Sequence, residues 1–124
     1  MNPHEKSICV YGYNRDEAQT IQHALKIGIG EAINCVSASG KEDTILSDIL
    51  TSSEDQTFTE DKTRIVLFYG FEDSMIPSLL QLFPPSVPRP IFCCLTSSNQ
   101  SWRFQTLKKH LLEEQKAMHA QNQS

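Results

Sequence analysis

Three continuous apolar runs constrain this chain more than any other feature: Ile8-Cys9-Val10-Tyr11, Ile65-Val66-Leu67-Phe68-Tyr69 and Ile91-Phe92-Cys93-Cys94-Leu95. A strand with one wet face alternates apolar and polar residues, because successive side chains point to opposite sides. Runs without alternation suit strands covered on both faces, as in a sheet enclosed by helices. Between them the spacing turns helical. The pattern predicts strands at 8–13, 32–37, 64–69 and 90–95, with helices at 15–27, 43–50, 74–83 and 100–119.

Local signals support these elements. Asn14 can accept from first-turn amides, and Glu17 stands where a capping-box partner belongs. Ala18, Ile21, Ala24 and Leu25 share one helical face, and Gly28 is the expected left-handed stop. The third helix carries Met75, Ile76, Leu79, Leu80 and Phe83 and ends at Pro84-Pro85. Its Pro77 falls in the first turn, where most amides lack helical partners. The last helix aligns Phe104, Leu107, Leu111 and Met118, with a tail expected to fray.

Strands alternating with helices imply an α/β fold with right-handed crossovers. The expected architecture is a small open parallel sheet of four strands, order 2-1-3-4, with helices on both faces. Two βαβα halves, at about 7–50 and 64–119, would build it, joined by an acidic linker at 51–63. A shift of 58 residues places Tyr11-Gly12-Tyr13 on Tyr69-Gly70-Phe71, Ile33 on Ile91 and Cys35 on Cys93. The pattern fits an internal duplication, with chance matches between buried strands as the alternative. Neither half is long enough to bury a robust core alone, so 1–124 is expected to form a single domain. A ferredoxin-like antiparallel sheet is the competing arrangement, but each half has a second helix that it would not need. In the parallel order a switch point falls between strands 1 and 3, where open α/β sheets bind ligands. The Gly12-Tyr13 and Gly70-Phe71 turns would meet there.

Charge and composition remove several classes. Eleven Lys/Arg against fifteen Asp/Glu give a net charge of −4, too acidic for a broad nucleic-acid face. The longest apolar run, 65–71, is far short of the roughly 20 residues that cross a bilayer. Residues 1–6 lack the apolar core of a signal peptide. Cys9, Cys35, Cys93 and Cys94 all lie in apolar runs without Cys-x-x-Cys or close Cys/His spacing. They read as buried reduced thiols of a cytoplasmic protein.

Chemistry-bearing motifs are sparse. Gly12 and Gly70 hold the position of a phosphate-cradling turn, yet no Gly-x-Gly-x-x-Gly or Gly-x-x-x-x-Gly-Lys-Ser/Thr surrounds them. Glu72 and Asp73 are too few acids for a receiver-type Mg²⁺ cluster. No histidine is placed beside a nucleophile. The sequence therefore nominates no catalytic residue, no metal ligand and no cofactor. Its candidate ligand-binding residues are Gly12, Tyr13, Asn14, Gly70, Phe71, Thr96, Asn99 and Trp102. Among them Asn99 is expected to cap the last helix and Trp102 to sit in its first turn, where a helix N-terminus could take an anion.

Residues 64–115 carry a further pattern: an apolar strand ending in Gly70-Phe71, Leu79-Leu80 in a helix, a second apolar strand, then Thr96-x-x-Asn99-x-x-Trp102. A helix bearing Leu107, Leu111, Leu112, Glu113 and Glu114 follows. This pattern resembles a small, mostly bacterial domain-of-unknown-function family, with Ser97 where that family often has proline. The resemblance implies an α/β domain and no defined chemistry. The expected function is non-catalytic binding or regulation through a small molecule or protein, a homodimer included, with no nucleic acid and no membrane. The alternative is an enzyme or nucleotide-binding subunit that uses the crevice between strands 1 and 3.

Overall fold

The computed structural model describes residues 6–51 and 56–122, with side chains through Ala117. The side chain of Met118 lies outside the described residues. Of the tail expected to fray at 120–124, residues 120–122 are helical in backbone, and 123–124 lie outside the described residues. All eight expected elements form: β1 (Lys6–Tyr11), α1 (Arg15–Ile29), β2 (Ile33–Ser37), α2 (Leu46–Thr51), β3 (Ile65–Tyr69), α3 (Ile76–Leu82), β4 (Ile91–Cys94) and α4 (Phe104–Asn122). A 3-10 turn at Asp73–Met75 leads into α3, which places Pro77 in its first turn.

The strand order is β2-β1-β3-β4, as expected. The sheet, however, is mixed. β1 pairs parallel with β2 and β3 with β4, but β1 and β3 run antiparallel, with Cys9 opposite Leu67. The all-parallel expectation is therefore corrected at the central pair. The connection explains the direction. β2 ends beside the carboxyl end of β1, and the chain then crosses that end, where the Asp61 amide donates to the Gly12 carbonyl at 3.1 Å. β3 can start there at once. A parallel β3 would need the chain to return the length of the sheet first.

Handedness then fixes the layers. In a parallel 2-1-3-4 sheet, right-handed crossovers running outward in opposite directions place their helices on opposite faces. Reversing β3 and β4 brings α1 and α3 to the same face. Ala18, Ile21 and Leu25 of α1 and Leu79 of α3 pack together against Ile8, Val10, Val66 and Phe68. The other face gathers Cys9, Tyr11, Val36, Ile65 and Leu67 under Leu46 and Ile49 of α2 and Phe104, Leu107 and Leu111 of α4. Both faces of the central strands are thus covered, which is why their sequences do not alternate. Each fully buried Leu, Ile or Phe is worth roughly 1.5–3 kcal/mol.

The capping box at α1 forms as expected: Asn14 accepts from the Glu17 amide and the Glu17 carboxylate accepts from the Asn14 amide. The stop is different. Gly30, at φ 74°, is the left-handed C-cap, while Gly28 lies inside the helix. A methyl at Gly28 would run into Leu82, so its role is the close approach of α1 and α3.

α2 and α4 begin side by side and satisfy each other's first amides. The Leu46 amide donates to Trp102 O (2.9 Å) and the Phe104 amide to Thr44 O (3.0 Å). The Ser47 amide donates to Gln100 O (3.2 Å) and the Gln105 amide to Glu42 O (2.8 Å). A helix start leaves up to four such donors without helical partners. Here backbone carbonyls take them, and no side-chain cap is needed.

Candidate functional site

The antiparallel central pair separates the candidate residues into two groups. Gly12 follows Tyr11, which faces Ile65 at the start of β3, whereas Gly70 follows Tyr69, which faces Ser7. The two turns therefore stand about 20 Å apart along the strands, six residues at roughly 3.4 Å each. The expected meeting of Gly12-Tyr13 with Gly70-Phe71 does not occur, and no switch point lies between strands 1 and 3.

At the first end, Gly12 takes φ 88° and Tyr13 is fully buried. The Tyr13 hydroxyl donates to Pro88 O at 2.5 Å, and the Arg64 guanidinium lies 5.9 Å from its ring centre. Burial holds this phenol well above its usual pKa. Asn14 is engaged twice, in the capping box and by donating Nδ2 to the Glu60 carboxylate at 2.5 Å. The position where a bound phosphate would sit, at the start of α1, is thus taken by an acid of the chain itself.

That acid belongs to the segment expected as a linker. Gln56 Oε1 accepts from the Ser37 amide, Thr57 O from the Ser37 hydroxyl, and Ser39 Oγ from the Thr59 amide. Arg15 donates to Gln56 O and lies over the Phe58 ring. Residues 56–61 are thereby fastened across the carboxyl ends of β1 and β2.

Beneath this strap is a cavity of about 130 Å³ lined by Tyr11, Ser39, Gly40, Glu42, Thr59 and Asp61. The Tyr11 hydroxyl donates to Glu42 Oε1 (3.2 Å) and accepts from Lys108 Nζ (3.1 Å). At about 30 Å³ per water the space holds some four waters, well under the roughly 300 Å³ of the smallest ligand pockets. Sequence reading missed this cluster. Glu42 and Lys108 lie 31 and 97 residues from Tyr11, so no local spacing joins them.

At the opposite end, Gly70 takes φ 83°, and Phe71 sets its ring edge-on to Phe68 at 5.8 Å. The Thr96 and Asn99 side chains form a reciprocal clasp. Asn99 Oδ1 accepts from the Thr96 amide (2.8 Å), and Thr96 Oγ1 accepts from the Asn99 amide (3.1 Å). Asn99 Nδ2 donates to Cys94 O (3.1 Å). Asn99 therefore does not cap α4, which starts five residues later. It closes the outer edge of β4, where an open carbonyl would otherwise invite another strand. Gln22 and Gln56 do the same for β2, at Ile33 O and the Ser37 amide. Trp102 is half-buried against the α2/α4 core, its ring edge-on to His110 at 5.4 Å.

The cysteines are free and poorly suited to nucleophilic work. Burial raises the Cys9 thiol far above its ordinary value and pushes Cys35 and Cys93 up to about 12. Burial also raises Cys94, with a contribution from Asp73. Among the described residues no group of His, Cys, Asp and Glu could hold a metal ion, and no helix is long and apolar enough to cross a membrane.

The Thr96/Asn99/Trp102 spacing thus encodes an edge clasp followed by a backbone junction. Comparison with known families picks out the same stretch. Residues 64–118 match a family described as Domain of unknown function (DUF3783). The DUF3783 match runs from the residue before β3 into α4, so it covers β3, α3, β4 and most of α4 and leaves the first half unmatched. No curated protein and no solved structure matches the chain.

Proposed function

We propose that this chain is a non-catalytic binding module, and that its docking face is the outer side of α4. The observation that carries this reading is a shallow, open depression of about 320 Å³ along that helix. Leu112, 39% exposed, lies in it among Gln105, Lys108, Lys109, Glu113 and Lys116. The Lys108 ammonium is held at the Tyr11 hydroxyl, so Lys109 and Lys116 carry the positive charge that faces outward. An apolar centre at Leu112 flanked by Lys109 and Lys116 fits an acidic amphipathic segment of a protein partner, with apolar side chains on Leu112 and carboxylates toward those two lysines. The polar groups first nominated for chemistry support a structural reading instead, since Tyr13, Asn14, Thr96 and Asn99 all serve the backbone or the strap.

The test uses a Leu/Glu amphipathic helical peptide as probe, with binding followed by fluorescence anisotropy. Binding should weaken at least tenfold in Leu112→Ser and in Lys109→Glu, and should fade at about 1 M salt, where screening acts within roughly 3 Å. Binding that is absent, or indifferent to both substitutions, sinks the proposal.

The unpaired thiols favour a reducing, cytoplasmic setting, and the family resemblance favours a bacterial one. We also read the two halves as copies of one βαβα unit. Support comes from the helix starts, whose four hydrogen bonds interconvert under a shift of 58 residues (44 to 102, 46 to 104, 42 to 100, 47 to 105). The Cys35–Cys93 coincidence is not part of that support. In the ladders Cys9 faces Val36 and Leu67 faces Cys93, which makes Val36, not Cys35, the counterpart of Cys93.

A further inference from the structure

The two halves meet along β1 and β3, and this seam has the geometry of a two-fold axis. Cys9 faces Leu67, its own counterpart at the 58-residue shift, so the axis passes between them. The reciprocal bonds at the starts of α2 and α4 obey the same axis. So does the core beneath them: Leu46 and Ile49 correspond to Phe104 and Leu107, all four nearly or fully buried.

The matched family segment stops at the seam. It contains β3 and β4 but neither β1 nor α2. Such a unit alone has a two-stranded sheet, which is marginal in water. Its β3, apolar on both faces, would present one bare edge, and its size falls where single cores are weak.

We propose that the β1–β3 seam is a dimer interface carried inside one chain. The segment 64–118 is able to pair with a second copy of itself through β3, and residues 6–51 occupy the place of that second copy. The register permits this. A seam centred on Leu67 facing Leu67 sets Ile65 against Tyr69 and Val66 against Phe68 of the other copy. The existing seam already sets Ile65 against Tyr11, and the self-paired seam keeps a tyrosine there. It replaces Val10 by Phe68 opposite Val66 and Cys9 by Leu67 opposite Leu67, and exchanges Ser7 for Ile65 opposite Tyr69, so it is apolar throughout. Tyr69, now opposite Ser7 and 40% exposed, would take the position of Tyr11, which is 6% exposed and stacks at 4.8 Å on Phe104. Backbone groups near Trp102 and Phe104 would exchange between copies as they now do with Thr44 and Leu46.

The experiment inserts a site-specific protease sequence between Ser53 and Glu54 of the full chain. The folded protein is cut, and the mixture is unfolded in urea, refolded and read by native mass spectrometry. The result expected is two species, the first half with the second and the second half with itself. Leu67→Glu occurs once in the mixed pair and twice, facing itself, in the homodimer. It should therefore deplete the homodimer by roughly the square of its effect on the mixed pair. The inference rests on the two-copy reading above. A mixed pair without homodimer overturns the inference and leaves that reading standing, whereas separation into monomeric halves overturns both. A homodimer unaffected by Leu67→Glu uses another surface and also overturns the seam.

Discussion

Asn99→Asp separates two roles that one residue can play. As an N-cap, aspartate is as good as asparagine, and its charge suits the positive end of a helix. Such a substitution would leave stability unchanged or slightly raised. In the clasp the outcome reverses. Oδ1 keeps the Thr96 amide, but the Nδ2 donor to Cys94 O is lost and a carboxylate oxygen faces that carbonyl, at a site only 9% exposed. One lost bond, together with the desolvation of the carbonyl left behind, amounts to about 2 kcal/mol. For a chain of this length that corresponds to a fall in Tm of about 6–10 °C, at roughly 3–5 °C per kcal/mol. Thermal unfolding followed by far-UV circular dichroism, with urea midpoints beside it, measures the difference. The gap to the wild type should narrow in acid, where a protonated carboxyl can donate to Cys94 O in place of the amide. A variant as stable as the wild type at neutral pH would refute the clasp.

Two glycines that both have positive φ should respond differently. Gly12→Ala forces a methyl against the Thr63 carbonyl oxygen at φ 88° and should cost about 3 kcal/mol, whereas Gly30→Ala, at φ 74° in open space, should cost only about 1 kcal/mol of backbone strain in urea titrations. The thiols predict alkaline instability. Their folded pKa values lie above the unfolded 9.0, so this contribution is intact below pH 9 and is lost as pH rises toward about 12. Each thiol adds a slope of about 1.4 kcal/mol per pH unit in that window. Cys35→Ala should flatten the urea-midpoint profile by that amount, and an unchanged slope would show that Cys35 titrates normally.

The reach of sequence reading differs between strand order and strand direction for a physical reason. Continuous apolar runs record that both faces of a strand are covered, and β1, β3 and β4 are so covered. A run such as Ile65-Val66-Leu67-Phe68-Tyr69 is equally apolar in either direction, so it carries nothing about whether β3 runs with or against β1. Direction was decided by the segment that looked least structured. Residues 56–61 read as polar linker because their bonds run to Ser37, Ser39, Asn14 and Gly12, all far away in sequence. Polar side chains that bind backbone across a sheet end have the same composition as side chains bound to water.

The same ambiguity governed the candidate site. Gly12, Asn14, Thr96 and Asn99 were nominated because turns and amides at the carboxyl ends of strands can hold a ligand. They can equally hold the backbone, and the difference lies in whether another segment reaches the position first. At Asn14 the competitor is Glu60, delivered by the strap; at Asn99 it is Cys94 O, delivered by the end of β4. Both competitors answer a need created by the fold, a helix start to be covered in one case and an open sheet edge in the other. Leu112, one of the exposed large apolar residues among those described, has no such internal claim, and its helix already seats Phe104, Leu107 and Leu111 in the core. An apolar residue outside that stripe adds little to this packing, and Lys109, Glu113 and Lys116 surround it on the exposed side. The docking face proposed above rests on that difference: the groups at the sheet ends are engaged by the chain's own backbone and strap, whereas Leu112 on the outer face of α4 is 39% exposed.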